Sequence, residues 1–163
     1  MLVMDHPRDI GDRTTLAVML ALREAGFGVL TPFGENTRYD LAIDDGCKLV
    51  RVQCKTGRLR EGAIRFAVCS CYGQHLRPKD TRRDYHGQVD YFGVYCPDNL
   101  AVYLVPIADL SVRVQAALRV QPARNSQKCK IRLASKYEIG KVNVEAPRRA
   151  PQVQLGRVDE RVG

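Results

Sequence analysis

The sequence predicts an α/β fold, and three observations predict it. Residues 9–25 carry a helical spacing of apolar side chains closed by Gly26. Apolar residues alternate as Tyr39, Leu41, Ile43 and again as Val50, Val52, Cys54 on either side of Asp45-Gly46, the mark of two half-buried strands. Further strand-like runs follow at 63–69, 89–96 and 101–105.

Taken in order, residues 1–8 read as a loose leader and Asp9 as the N-cap of a helix reaching about Ala25. Leu16, Met19, Leu20 and Ala21 are its expected apolar positions. Gly28–Thr31 reads as a short strand, and 33–37 as a loop at the mouth of the following hairpin, with Glu35 as a spare carboxylate. Asp45-Gly46 suits a two-residue type I′ turn, which sets Asp44 against Cys47 and Asp40 against Arg51. Thr56–Gly62 reads as an Arg-containing turn and 63–69 as a third sheet strand. Residues 74–88 are polar and basic, with Tyr72 and Tyr85 interleaved. A second hairpin, 89–96 with 101–105, turns on Pro97-Asp98-Asn99, and 112–117 has helical character. From Ala146 the Pro- and Arg-containing chain reads as a flexible tail, leaving one domain over 9–145.

The hairpin gathers chemistry on one face. Strand alternation puts Asp40 with Arg51, Gln53 and Lys55 while the aliphatic residues fill the other side. A carboxylate, an amide oxygen and an ammonium over a greasy sheet suit phosphodiester cleavage, which needs oxygen ligands for Mg²⁺ and a cation near the phosphate. Asp40 and Gln53 are the expected metal ligands, the Cys54 backbone carbonyl a third, and Lys55 the cation that holds water or phosphate. The plain alternative is a solvated hairpin face, because Asp followed by Gln-x-Lys is a common pattern.

The order Arg38-Tyr39-Asp40-Leu41 then Val52-Gln53-Cys54-Lys55 fills the PD-(D/E)XK pattern. Gly11-Asp12, Ala25-Gly26-Phe27 and Pro32-Phe33-Gly34 precede it, and Val89-Asp90-Tyr91-Phe92-Gly93-Val94-Tyr95-Cys96-Pro97, Tyr103-Leu104-Val105-Pro106 and Arg124-Asn125-Ser126-Gln127 follow. Over residues 9–139 the chain resembles the PD-(D/E)XK endonucleases associated with group I introns, the branch with Gln in the motif. That resemblance implies a restriction-endonuclease-like αβββαβ core with a mixed central sheet. It also implies a double-stranded DNA substrate, Mg²⁺ (with Mn²⁺ able to substitute) and a homo-oligomer, dimer or tetramer. One position departs from it. The family's first-helix Glu, a metal ligand, falls on Thr15, and Asp12 one helical turn earlier is the candidate replacement. Three readings follow: an active endonuclease, a catalytically weakened DNA-binding protein on the same fold, or a nuclease for DNA junctions.

Charge agrees with a nucleic-acid partner. The 163-residue chain carries a formal net charge of +8 and a pI near 9.4. The expected DNA contacts are Arg58, Arg60, Arg77, Lys79, Arg82 and Arg83, with Arg124, Asn125, Gln127 and Lys128 in the basic stretch 119–132. No apolar run approaches a membrane span, no secretory signal is expected, and no phosphate loop for a nucleotide is present. A cytoplasmic, nucleoid-associated setting follows, in which the six cysteines are reduced and mostly buried thiols. A zinc site of Cys69, Cys71 and His75 is the sharper alternative for two of these cysteines. His86 as a base and Asp90 as a metal ligand are the sharper readings of those residues, and plain structural roles are the default ones.

Overall fold

The computed structural model describes residues 6–34, 36–71, 82–121 and 131–142. Glu35, Tyr72, His75, Arg77, Lys79, Arg124, Asn125, Gln127, Lys128 and the tail from Ala146 lie outside them.

Helix α1 (Pro7–Glu24) begins at His6, whose Nδ1 accepts the Arg8 N–H at 3.3 Å, with Pro7 at the first helical position. Asp9 is therefore not the cap. It lies in the first turn, where its charge favours the helix dipole, and the helix reaches into the stretch read as a leader. At the other end Gly26 takes φ +90°. Its N–H meets the Arg23 carbonyl and that of Phe27 meets Leu22, a left-handed stop that glycine enters without strain.

Strands β1 (Gly28–Leu30), β2 (Leu41–Asp44) and β3 (Leu49–Thr56) follow, then β4 (Arg58–Arg60), β5 (Ala63–Ala67), β6 (Cys69–Cys71) and β7 (Arg82–Asp84). After them come β8 (Tyr91–Cys96), β9 (Ala101–Pro106), β10 (Gln115–Arg119) and β11 (Glu138–Lys141). The central sheet has the order β1-β2-β3-β8-β9-β11 and is mixed: β3 and β8 run parallel and every other pair antiparallel. Helix α1 covers one face through Ala17, Val18, Ala21 and Leu22, against Leu41, Ile43, Val52 and Cys54. The opposite face packs Phe92, Val94 and Val105 under a second sheet, β10-β5-β4, whose Ile64, Phe66, Ala116 and Leu118 point inward. Leu16 and Leu20, expected in the core, are 57% and 47% exposed. Small side chains at 17 and 21 let the helix lie closer on that stripe than leucines permit.

Glycine sets that closeness on the sheet side too. A Cβ at Gly93 would lie 2.7 Å from Val18 Cγ1 and 3.1 Å from Val52 Cγ1, so only hydrogen fits beneath the helix.

The β2–β3 register differs from the expected one. Asp44 pairs with Leu49 and Ala42 with Arg51, so the turn spans 45–48 and Asp40 falls beside Gln53 rather than Arg51. Asp44 Oδ1 accepts the Gly46 N–H at 2.8 Å, and Asp45 Oδ1 accepts those of Cys47 and Lys48 at 2.9 Å. These side-chain bonds stabilise the longer turn. The two-residue turn with both φ positive is instead Glu61-Gly62, at 50° and 72°, joining β4 to β5. Thr56–Gly62 is thus mostly strand. The run 63–69 supplies β5 and the start of β6, neither in the central sheet. Residues 112–117 are not helical: β10 alternates inward Ala116 and Leu118 with outward neighbours and pairs with β5. Among the described residues strands, not a helix, carry the crossover from β3 to its parallel neighbour β8. No described helix is long and apolar enough to cross a membrane.

Candidate active site

Asp40 extends the ladder one residue before β2, its N–H reaching the Val52 carbonyl at 2.9 Å. The side chain turns across to β3. Its Oδ2 accepts the Gln53 Nε2–H at 2.7 Å and the Cys54 backbone N–H at 2.8 Å. Burial pushes the Asp40 carboxyl above the usual range; the Cys54 N–H and the Lys55 charge pull the other way without cancelling it. The carboxylate opens on a cleft of about 370 Å³ between β3 and the start of α1. Asp40, Gln53 and Cys54 form its sheet wall, and Arg8, Asp12 and Thr15 its helix wall.

Lys55 is two residues on from Gln53, and its charge bears on Asp40, but its tip rests elsewhere. Nζ donates to the Tyr85 hydroxyl at 3.3 Å and the Cys69 carbonyl at 3.4 Å, and lies 4.8 Å from the Tyr85 ring centre. Tyr85 is buried edge-on against Phe92, ring centres 5.6 Å apart. Arg38 stacks 4.4 Å from the same ring. It donates to Ser70 Oγ at 3.0 Å, the Asp84 carbonyl at 2.8 Å and the Gln88 side chain. Tyr85, an aromatic interleaved in the polar, basic stretch 74–88, is core. Neither its contact with Lys55 nor the stacking role of Arg38 was foreseen. The only hint in the sequence is the Arg immediately before Tyr39-Asp40.

Thr15 and Asp12 both line the cleft, so the helix position where the family carries Glu does face the acid. Thr15 Oγ1 donates to the Gly11 carbonyl at 3.1 Å. The Cys54 thiol is pushed far up by burial and then by the Asp40 charge, so only its carbonyl is a credible ligand. Asp90 is structural: its carboxylate accepts the Arg51 N–H at 2.7 Å and the guanidinium at 3.3 Å. His86 Nδ1 meets Asp84 at 2.6 Å, and neither residue lines the Asp40 cleft.

Arg58, Arg60, Arg82 and Arg83 are exposed on β4 and β7. Two members of the basic 119–132 stretch are structural: Arg119 donates to the Glu61 carbonyl and Arg132 to the Asp109 carbonyl. Among the described residues no three of His, Cys, Asp and Glu gather as a metal cluster. The donor set around Asp40 is oxygen-rich and poor in charge. That suits a hydrated Mg²⁺, which keeps several waters and takes one or two carboxylates, and does not suit zinc.

A model of the family described as PD-(D/E)XK endonuclease matches residues 5–140. The chain belongs to that family. Its fold is that of a restriction-endonuclease-like homing endonuclease. The bacterial homing endonuclease I-Ssp6803I superposes with a TM-score of 0.58 at 22% identity, covering 83% of this chain and 88% of that one. No curated protein matches.

Proposed function

We propose that the protein is a Mg²⁺-dependent endonuclease cutting double-stranded DNA, working in the cytoplasm beside the nucleoid as one domain over about residues 9–145. One observation carries this reading: the half-buried Asp40 carboxylate is bonded to Gln53 and Cys54 at the edge of an open cleft, within the field of Lys55. Asp40 would hold the ion, with the Gln53 amide oxygen, the Cys54 carbonyl and Asp12 as further or water-bridged ligands. A bound divalent ion supplies Lewis-acid stabilisation of phosphate charge and a more acidic water.

The protein's own groups do the rest. Gln53 anchors Asp40 by its amide N–H, so the opposite end of the amide is left for the ion. Lys55, swung from Tyr85 toward the cleft, sets its ammonium against the developing phosphate charge. A homo-oligomer, dimer or tetramer, is part of the same reading, and light scattering of the eluted protein tests it.

Supercoiled plasmid with Mg²⁺ tests the main claim. Wild type nicks or linearises it, EDTA stops this, and Lys55→Ala binds DNA without cutting. A second reading has one observation in its favour. Among the described residues Asp12 and Asp40 are the only carboxylates lining the cleft, with Thr15 at the helix position. On that reading wild type retains DNA and cuts nothing.

A further inference from the structure

Beside the Asp40 cleft lies a smaller groove of about 160 Å³. The two share a wall, because Thr14 of α1 and Thr56 of β3 line both. Arg13 and Arg58 face the smaller groove from either side. Thr14 is 2% exposed, the only buried polar side chain among the described residues. Its Oγ1 lies 2.6 Å from Thr56 Oγ1. Two hydroxyls bring two donor protons, and their mutual bond uses one. Among the described residues neither hydroxyl has another hydrogen-bond partner, so the second proton is offered to whatever enters.

We infer that this groove is a subsite for the sugar-phosphate backbone of bound DNA, next to the bond being cut. Arg13 and Arg58 serve as its cations and the Thr14–Thr56 pair as its buried donor. The inference rests on the nuclease reading for the identity of the strand. Guanidinium pairs and a hydroxyl are phosphate chemistry. Ile10 and Pro97 add apolar surface that a free phosphate does not need and a deoxyribose does. Asp98, next in sequence to the lining Pro97, has its Oδ2 occupied by the Leu59 N–H at 2.7 Å. Adjacency is the decisive feature. A strand whose scissile phosphate sits at Asp40 must leave the cleft, and the hydroxyl wall opens directly on this groove.

The test is equilibrium binding of a short duplex in EDTA over a salt series. Arg58→Gln should weaken binding and lower the slope of log K against log salt by about 0.9, the share of one phosphate. Thr56→Val, which keeps the shape, should weaken binding about five-fold with the slope unchanged, the loss of one hydrogen bond. Arg23→Gln, at the far end of α1 and bonded to the Phe27 carbonyl, should change neither. Wild-type affinity and slope in Arg58→Gln, or an equal loss in Arg23→Gln, overturns the subsite. If wild type binds no DNA, the nuclease reading fails by itself. Amide NMR shifts at Thr14 and Thr56 on adding inorganic phosphate then decide: shifts abolished by Arg58→Gln keep an anion site, and their absence removes it.

Discussion

The Asp40 carboxylate and the Lys55 ammonium are held in different ways. Asp40 is bound at 2.7 and 2.8 Å, one partner being strand backbone that cannot move without breaking the sheet. Lys55 ends in contacts of 3.3 and 3.4 Å to a phenol and a carbonyl, on a flexible four-carbon stem. On the proposed nuclease reading, a fixed acid and a more loosely held cation suit a site in which the ion's position defines the reaction and the ammonium follows the phosphate. The lesson is that the carboxylate is a built part of the sheet, and the lysine is parked.

The largest test of that contrast is Asp40→Asn, which should lower Mg²⁺-dependent cleavage at least about 10³-fold, since the anchoring charge goes. Its stability effect has the opposite sign. The folded-state value of Asp40 is raised, so the carboxyl favours the fold at low pH and that stability is lost as pH rises through the raised value. Metal-free Asp40→Asn should therefore melt above wild type at pH 7, and the gain should vanish below about pH 4. Equal melting at pH 7 would break the picture of a desolvated carboxylate. Lys55→Ala comes next, with cleavage down about 10²–10³-fold and DNA binding nearly kept. Its melting temperature should barely change, because a parked side chain holds little together.

Tyr85→Phe sharpens the comparison further. It keeps the ring against Phe92 and removes the hydroxyl under Lys55, so kcat should shift by less than about ten-fold with KM unchanged. Tyr85→Ala would cost about 3–5 kcal/mol of stability by urea melts and so says little about Lys55. Thr15→Glu adds a carboxylate to the helix wall. It should tighten Mg²⁺ binding by calorimetry, raise cleavage, and destabilise the metal-free protein by like-charge repulsion with Asp40. The smallest effect belongs to Asp90→Asn, about 1 kcal/mol in urea melts with kinetics untouched. Burial alone would raise Asp90, but its bonds to Arg51 and the attendant charge outweigh it and hold the carboxyl below its usual range. That contribution is present at neutral pH and is lost as pH falls below about 4, opposite in sense to Asp40.

Alternation made the site face legible where the turn was misread. The actual register differs from the expected one by two residues, and an even shift returns every side chain to its own face. Asp40 therefore still joins Gln53 and Lys55, although it lies beside Gln53 and not Arg51. What local pattern could not supply was tertiary. Leu16 and Leu20 fit a helical stripe as well as Ala17 and Val18 do, and the sheet chose the smaller pair. Gln115–Arg119 has no strong preference of its own, and β5 pulled it into a sheet. Tyr85 beneath Lys55 joins residues separated by a whole crossover, a contact that spacing cannot encode.

The missing methyl at residue 93 has a mechanical consequence. Alanine there would lever α1 off β3 and β8 around Val18, and the helix carries Asp12, Thr14 and Thr15 with it. The gap between sheet and helix, and so the reach of any helix oxygen across the cleft, is governed from beneath by a residue buried under α1. Gly93→Ala would act as a shim, detuning the centre while leaving each of its chemical groups in place.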